Sequence, residues 1–435
     1  MTPGARVQSA IGLLREILPN DGPTADAAVR AWFRARRYAG SKDRAAVTGL
    51  VYQVLRQRGQ LTWELAQASS DQDARALVIA ALVRLDSLSL GDITERFDGN
   101  QYGPEPLTSD EKTVTAQLVN GGAPEGTPDW VQGNYPQELD APLRAGFGDA
   151  VVAEMAAMTP RAPTDLRVNT LKADRGQAQA SLDADGIPSD LTQMSPLGLR
   201  VKGRARIAES VAFRSGMIEI QDEGAQIAGR LVEAKPGQTV VDYCAGAGGK
   251  SLGLAAVMEN TGVIHAFDVD SGRLGKSKSR FSRSDVKCVI AQTVSGGDDP
   301  AVLALKGMAD RVLVDAPCTG SGTWRRAPEG KWRVTKKTIT EHMILQRSIL
   351  DDAAPLVRPG GRLLYVTCSV FAQENQDQAN WFLERHGEFQ AMDVDKIWGN
   401  VLPGPSRSHG PYLQLSPLGN GTDGFFVSVF ERVCE

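Results

Sequence analysis

The chain has 435 residues, 42% hydrophobic content and 23% charged residues. That length is too great for one compact core, so two or three domains are expected, and the composition excludes a disordered, fibrous or disulfide-framework protein. With 48 Lys and Arg against 52 Asp and Glu, the net charge is -4, which excludes a basic protein overall but not a local basic face for a nucleic acid. The five Cys are too few and too scattered for a disulfide scaffold, and His265, His342, His386 and His409 have no ligand spacing with them. No metal site is expected. The start lacks the apolar region of a secretory signal, and no run approaches the roughly 18 apolar residues of a membrane span. A cytoplasmic protein with free, chemically usable thiols is expected.

In chain order, residues 7–18, 25–35, 45–55 and 74–85 carry apolar side chains at helical spacing. Arg30, Arg34, Arg36, Arg37, Lys42, Arg44, Arg56 and Arg58 give this region an unbalanced positive charge, which reads as an RNA-docking surface or as a solvated helix face. Gly99, Gly103, Pro104, Pro106, Gly121, Gly122, Pro124, Gly126 and Pro128 mark a linker, with one helix at 109–118. A helix at 150–158, a strand at 165–169 and a helix at 176–185 suggest a small α/β unit. Beyond residue 214, short apolar runs at 239–243, 263–269, 288–291, 311–315 and 362–367 alternate with helices, as in a parallel doubly wound sheet. Residues 423–431 suit a closing edge strand.

The first βα loop, Val240-Val-Asp-Tyr-Cys-Ala-Gly-Ala-Gly-Gly-Lys250, precedes a helix at 251–258. Its glycines permit a tight turn and close approach to a ligand. The spacing fits neither the dinucleotide fingerprint nor a P-loop. Asp268 ends the next strand, where an acid can accept hydrogen bonds from both hydroxyls of a ribose. A nucleoside cofactor is favoured over a structural turn.

Strand 311–315 runs into Ala316-Pro-Cys-Thr-Gly-Ser-Gly322, and strand 362–367 into Cys368-Ser369. Both thiols fall at the ligand-binding edge of an open α/β sheet. Either alone would read as a small buried hydrophobe. Together, with Asp315, they suit methylation at pyrimidine C5, where a thiolate adding to C6 makes C5 nucleophilic. Asp315 is available for N3 of the base, and Lys250 to bring positive charge near it or to hold Asp315. On residues alone, either Cys serves as the nucleophile.

Asp242-Tyr-Cys-Ala-Gly-Ala-Gly-Gly-Lys250, Asp315-Ala-Pro-Cys-Thr-Gly-Ser-Gly322 and Tyr365-Val-Thr-Cys-Ser369 resemble the motifs of the Fmu/Sun (RsmB-type) RNA cytosine-5 methyltransferases. Arg325-Arg-Ala-Pro-Glu-Gly-Lys-Trp332, Gln346–Leu350, Pro359-Gly-Gly361, Asp423-Gly-Phe-Phe426, Leu166-Arg-Val-Asn-Thr-Leu-Lys172 and Gln221-Asp-Glu-Gly-Ala-Gln226 extend the likeness from about residue 128 to the end. The N-terminal helices, through Arg36-Arg37, Ser41-Lys-Asp-Arg44, Leu50-Val-Tyr52 and Val54-Leu-Arg56, look like a NusB-like domain. The resemblance implies a multidomain α and α/β chain: a helical NusB-like RNA-binding domain with linker (1–127), a small α/β RNA-recognition subdomain (128–213), and a Rossmann-like class I methyltransferase domain (214–435). It implies S-adenosyl-L-methionine as cofactor, cradled by Cys244, Ala245, Gly246, Ala247, Gly248, Gly249 and Lys250, with Asp268 on the ribose and Arg273, Thr293 and Asp315 nearby. Cys368 would attack C6, Cys318 would assist product release, and Asp315 and Lys250 would contact the base or each other. Two departures stand out. Ala247 replaces the usual Pro, and Ile290-Ala-Gln-Thr-Val-Ser295 lacks the acid that normally follows the third strand, leaving Gln292 or Thr293 to offer a hydrogen bond.

Arg325, Arg326, Lys331, Arg333, Lys336 and Lys337, with Trp324 and Trp332 among them, read either as a phosphate-steering, base-stacking cluster or, for the Trp pair, as core. The expected substrate is 16S rRNA with the cytosine out of its stack, and the expected state is a monomer. The alternatives are the same chemistry on tRNA, or a ribosome-assembly RNA-binding factor with weak catalysis.

Overall fold

The computed structural model describes residues 1–121, 126–406 and 410–434; Gly122, Pro124 and His409 lie outside the described residues. The chain divides into two units, one of residues 1–161 with 324–336, the other of residues 162–323 with 337 onward.

In the first unit, helices Pro3–Ile17, Ala25–Ala35, Ser41–Arg56, Arg58–Gln67, Ala74–Arg84, Leu90–Arg96 and Ser109–Asn120 enclose a core that includes Leu13, Leu14, Ile17, Val51, Val54, Leu61, Leu77 and Leu82. Polar side chains cap five of these helices, from Thr2, Thr24, Asp73, Ser89 and Thr108. Thr24 caps the second, and Ser89 with Asp92 and Thr108 with Glu111 form capping boxes. Helix Arg58–Gln67 has no counterpart among the predicted elements, because its polar first turn, Arg-Gly-Gln, hides the periodicity.

Segment 324–336 corrects the expected phosphate-steering cluster. Trp324, Arg325 and Lys331 are buried. The Lys331 ammonium donates to the Asn134 carbonyl at 2.7 Å, and Arg333 donates to the carbonyls of Ile17 and Pro23. Glu329 accepts the Ala25 N–H at 2.9 Å, and the Arg58 guanidinium lies 5.2 Å from the centroid of Trp332. These basic groups serve as pins within the unit; Arg326, Lys336 and Lys337 remain exposed. Burial pulls the Lys331 ammonium from 10.5 down to about 7. Between those values the unfolded chain holds the extra proton, so stability rises with pH across that window by about 1.4 kcal/mol per unit at most. Thermal unfolding followed from pH 6 to 9.5 is expected to show this rise, and Lys331→Met to flatten it; equal slopes in the two proteins would refute the assignment.

The second unit contains two sheets. Strands β1 (Thr164–Val168), β2 (Ser189–Leu191), β3 (Gly198–Val201) and β4 (Ile218–Ile220) form an antiparallel sheet in the order β2-β3-β1-β4. The helix Arg175–Ala184 packs on it through Ala178 and Leu182. The larger sheet comprises β5 (Thr239–Asp242), β6 (Val263–Asp268), β7 (Val289–Thr293), β8 (Ala309–Asp315), β9 (Val357–Thr367), β10 (Phe389–Ala391), β11 (Tyr412–Leu415) and β12 (Phe425–Arg432). Its order is β10-β12-β9-β8-β5-β6-β7, with β11 also on β12. Strands β5 to β9 are parallel. Two corrections follow: β12 runs antiparallel between β9 and β10, so the sheet is mixed, and β12 is internal rather than an edge. The physical reason is visible in Phe425–Phe430, all buried, so both faces of the strand are covered. Because β6 and β8 flank β5, the chain reverses direction across the sheet at β5, the position where open α/β sheets bind ligands beyond their carboxyl ends.

Candidate active site

The loop after β5 turns on two glycines in the left-handed region, Gly246 (φ 55°) and Gly248 (φ 76°). A Cβ at Gly248 would lie 2.7 Å from the Phe281 ring, so no other residue fits that turn. The loop is held from outside by side chains. Asp268 at the end of β6 accepts the Gly246 N–H at 2.7 Å and the Asp270 N–H at 2.8 Å. Arg280 donates to the Ala247 carbonyl at 2.6 Å, and Arg167, from β1 of the small sheet, to the Gly249 carbonyl at 2.8 Å. These two arginines clamp the loop on either side of Gly248, at the stretch where Ala247 replaces the expected Pro. The Arg273 guanidinium lies against Gly246, and Thr293 is level with Asp268 across the β6–β7 ladder.

Three carboxylates surround this loop. Asp268 and Asp315 are joined by Asp242, which the motif reading passed over as a strand end. Asp242 is fully buried; Ser251 donates to its Oδ2 at 2.6 Å, and Oδ1 has no partner among the described residues. Burial, reinforced by the charges of Asp315 and Asp268, raises its carboxyl to about 6. The Cys244 thiol is pushed up too, chiefly by burial and then by Asp315 and Asp242, so it is an inert wall of the loop. Carboxylates at Asp242, Asp268 and Asp315 beside a glycine turn suit a cationic nucleoside, so the residues present fit S-adenosylmethionine, whose sulfonium and ammonium outweigh its one carboxylate.

The expected chemical groups fall in two contacts. Lys250, in the first turn of helix Gly249–Val257, reaches Asp315 at the end of β8 with its ammonium 2.5 Å from Oδ2. Cys318 and Cys368 face each other with their sulfurs 3.5 Å apart. Asp315 is level with Val366 on β9, two residues before Cys368, so the four groups share one sheet edge. The Cys318 thiol is raised well above its ordinary value, first by its hydrogen bond with Cys368, then by burial, then by the charge of Cys368 and last by that of Glu374. Cys318 therefore rests as a thiol. The two Cys loops are laced together: Gly322 N–H donates to the Cys368 carbonyl at 2.9 Å, and the Ser321 and Ser369 hydroxyls are 3.0 Å apart. Gly424 packs on Gly322 so closely that a Cβ on Gly322 would meet the Gly424 carbonyl at 2.2 Å. A Cβ on Gly424 would in turn meet the Gly322 Cα at 2.7 Å, which accounts for the glycine of Asp423-Gly-Phe-Phe426.

Among the described residues no three His, Cys, Asp or Glu side chains group as metal ligands, and no helix is long and apolar enough to cross a membrane.

Residues 230–431 match the family model described as 16S rRNA methyltransferase RsmB/F, and residues 135–208 match the ferredoxin-like domain of RsmF/B-like methyltransferases. Ribosomal RNA small subunit methyltransferase B of Erwinia tasmaniensis is 28% identical over 415 residues, 91% of this chain and 92% of that one. The probable enzyme of the same name from Bacillus subtilis is 32% identical over 265 residues, 60% of this chain and 58% of its own length. The crystal structure of PH0851 is 27% identical with a TM-score of 0.79 over 99% of both chains. A methyltransferase homolog protein from Pyrococcus horikoshii, also 27% identical, has a TM-score of 0.60 over 70% of this chain and 98% of its own.

Proposed function

The chain belongs to the RsmB/F family of S-adenosyl-L-methionine-dependent methyltransferases, and we propose that it methylates C5 of a cytosine in small-subunit ribosomal RNA through a covalent cysteine adduct. The observation that carries this reading is the pair of thiols 3.5 Å apart at the sheet edge that also bears the Lys250–Asp315 ion pair. An amino-group or ribose methyltransferase has no use for two facing thiols.

Residues 244–250, Asp268, Arg273 and Thr293 would hold the cofactor, which supplies an electrophilic methyl group on a sulfonium. Cys368 gives up its proton to solvent and adds as the thiolate to C6 of the base, and a proton arrives at N3 as the ring loses aromaticity. The Lys250 ammonium, already bonded to Asp315, is suited to donate at N3. The Asp315 carboxylate is suited to accept from the exocyclic amino group, which uracil lacks, and this complementarity favours cytosine. After C5 has been methylated, its proton must leave before the Cys368–C6 bond breaks. Solvent water takes that proton, and Cys318, itself protonated, assists by hydrogen-bonding the departing Cys368 thiolate. Its raised thiol keeps a proton available to hydrogen-bond the sulfur of Cys368.

The helical unit supports the RNA assignment. Arg30, Arg34, Arg37 and Lys42, on either side of Tyr38 along the chain, are exposed, and Tyr38 is itself 74% exposed, giving basic groups and an aromatic able to stack on an unpaired base. The test is methyl transfer to unmodified 16S rRNA, followed by digestion to nucleosides. The expected product is 5-methylcytidine in the rRNA arm and none in a tRNA arm. Product only on tRNA would move the substrate; methyl on another atom, or none on either RNA, would overturn the chemistry.

A further inference from the structure

Thr319 follows Cys318, Ser369 follows Cys368, and both bind one carboxylate. Glu374 is fully buried in the turn Ala372–Glu374. Its Oε1 accepts the Thr319 N–H at 2.9 Å and the Gln346 amide at 3.1 Å; its Oε2 accepts the Thr319 and Ser369 hydroxyls, each at 2.5 Å. The Gln346 amide also reaches the carbonyl of Pro317, the residue before Cys318. Four donors from the two Cys loops and helix Lys336–Ala353 thus converge on a single buried anion, and no cationic side chain pairs with it among the described residues. An ion taken out of water costs several kcal/mol unless fully hydrogen-bonded, and here the donors are neutral. Neutral Gln could satisfy the same geometry, so the charge itself calls for a role.

We propose that Glu374 is a positioning residue for the two thiols. Its hydrogen bonds set the facing of Cys318 and Cys368, and its negative charge disfavours a second anion beside it, so the pair keeps its proton until a base enters. The first function is geometric and the second electrostatic, and two substitutions separate them. In Glu374→Gln the hydroxyls of Thr319 and Ser369 can rotate to accept from the amide, so the frame stays and the charge goes. In Glu374→Asp the charge stays and the shortened side chain breaks the frame.

The role assigned to the thiols rests on the covalent-adduct reading, so the first readout is independent of methyl transfer. Full-length protein is alkylated with iodoacetamide between pH 6 and 10, and the Cys318 and Cys368 peptides are quantified by mass spectrometry. Glu374→Gln is expected to raise the rate of Cys318 alkylation about tenfold at each pH in this range, because the thiol loses its proton about one unit more readily, with thermal unfolding confirming a folded protein. Glu374→Asp is expected to leave that rate unchanged and to reduce kcat about tenfold or more at constant KM for RNA. A Gln profile superimposed on wild type overturns the electrostatic role, and unchanged kcat in Glu374→Asp overturns the geometric one. If wild type makes no 5-methylcytidine, the cytosine chemistry fails while the alkylation result still decides the electrostatic role of Glu374.

Discussion

Cys318→Ala, incubated with unmodified small-subunit rRNA and S-adenosylmethionine, is expected to accumulate a covalent protein–RNA adduct on a denaturing gel, whereas Cys368→Ala forms none and transfers no methyl. The expected loss of turnover in Cys368→Ala is on the order of 10⁴-fold or more, because a nucleophile that forms a covalent intermediate has no partial substitute. The asymmetry follows from the hydrogen bond between the sulfurs. Cys318 keeps its proton through that bond first, then through burial, with the charges of Cys368 and Glu374 after them. A thiol that stays protonated attacks poorly but can assist the departure of its neighbour. Removing it should leave bond formation to C6 intact and block release. Adduct in Cys368→Ala but not in Cys318→Ala would exchange the two roles, and this outcome matters because the Pro317-Cys318 pair on its own reads equally well as a nucleophile.

Asp242→Asn is expected to separate stability from cofactor preference. The folded carboxyl sits at about 6 against 3.8 in the unfolded chain, so the folded state holds the extra proton between those values. Stability therefore falls as pH rises through that window, and above it the full penalty, about 3 kcal/mol, is present. Asn removes the charge but leaves a buried amide without a full set of partners, which costs about 1–2 kcal/mol. A net gain of about 1 kcal/mol at pH 7.5 is expected in thermal unfolding without ligand. Binding should move the other way. S-Adenosylmethionine carries a positive sulfonium and S-adenosylhomocysteine does not, so the loss of a buried anion behind the loop should cut the affinity ratio of the two ligands by about three- to tenfold. In wild type the same ratio should shrink as pH falls below 6 and Asp242 takes its proton; in Asp242→Asn it should stay flat. Calorimetric titration with both ligands at pH 5.5 and 7.5 checks this, and a ratio that moves identically in the two proteins would refute it.

Much of this molecule was readable along the chain because the relevant physics is local. Left-handed glycines, helix periodicity and the run of residues at a strand end depend on a few neighbours, so the loop 244–250, the strands β5 to β9 and the two Cys motifs could be placed before any contact was known. What failed was of another kind. Residues 423–431 have the alternation of an edge strand, yet both faces of β12 are covered and it pairs between β9 and β10. Lys331 and Arg333 have the composition of a phosphate-binding patch, yet they are spent on carbonyls of the helical unit, at residues far away in sequence. Asp242 was legible only as the first residue of the glycine-loop motif, and Glu374 carries no local mark at all. Their importance comes from burial and from donors such as Ser251, Thr319, Gln346 and Ser369 brought to them by folding. By itself, then, the order of residues determined the sheet, the cofactor loop and the residue types available for chemistry. Only the tertiary structure decided which charges are exposed and which are buried, because desolvation depends on the surroundings in space and not on sequence neighbours.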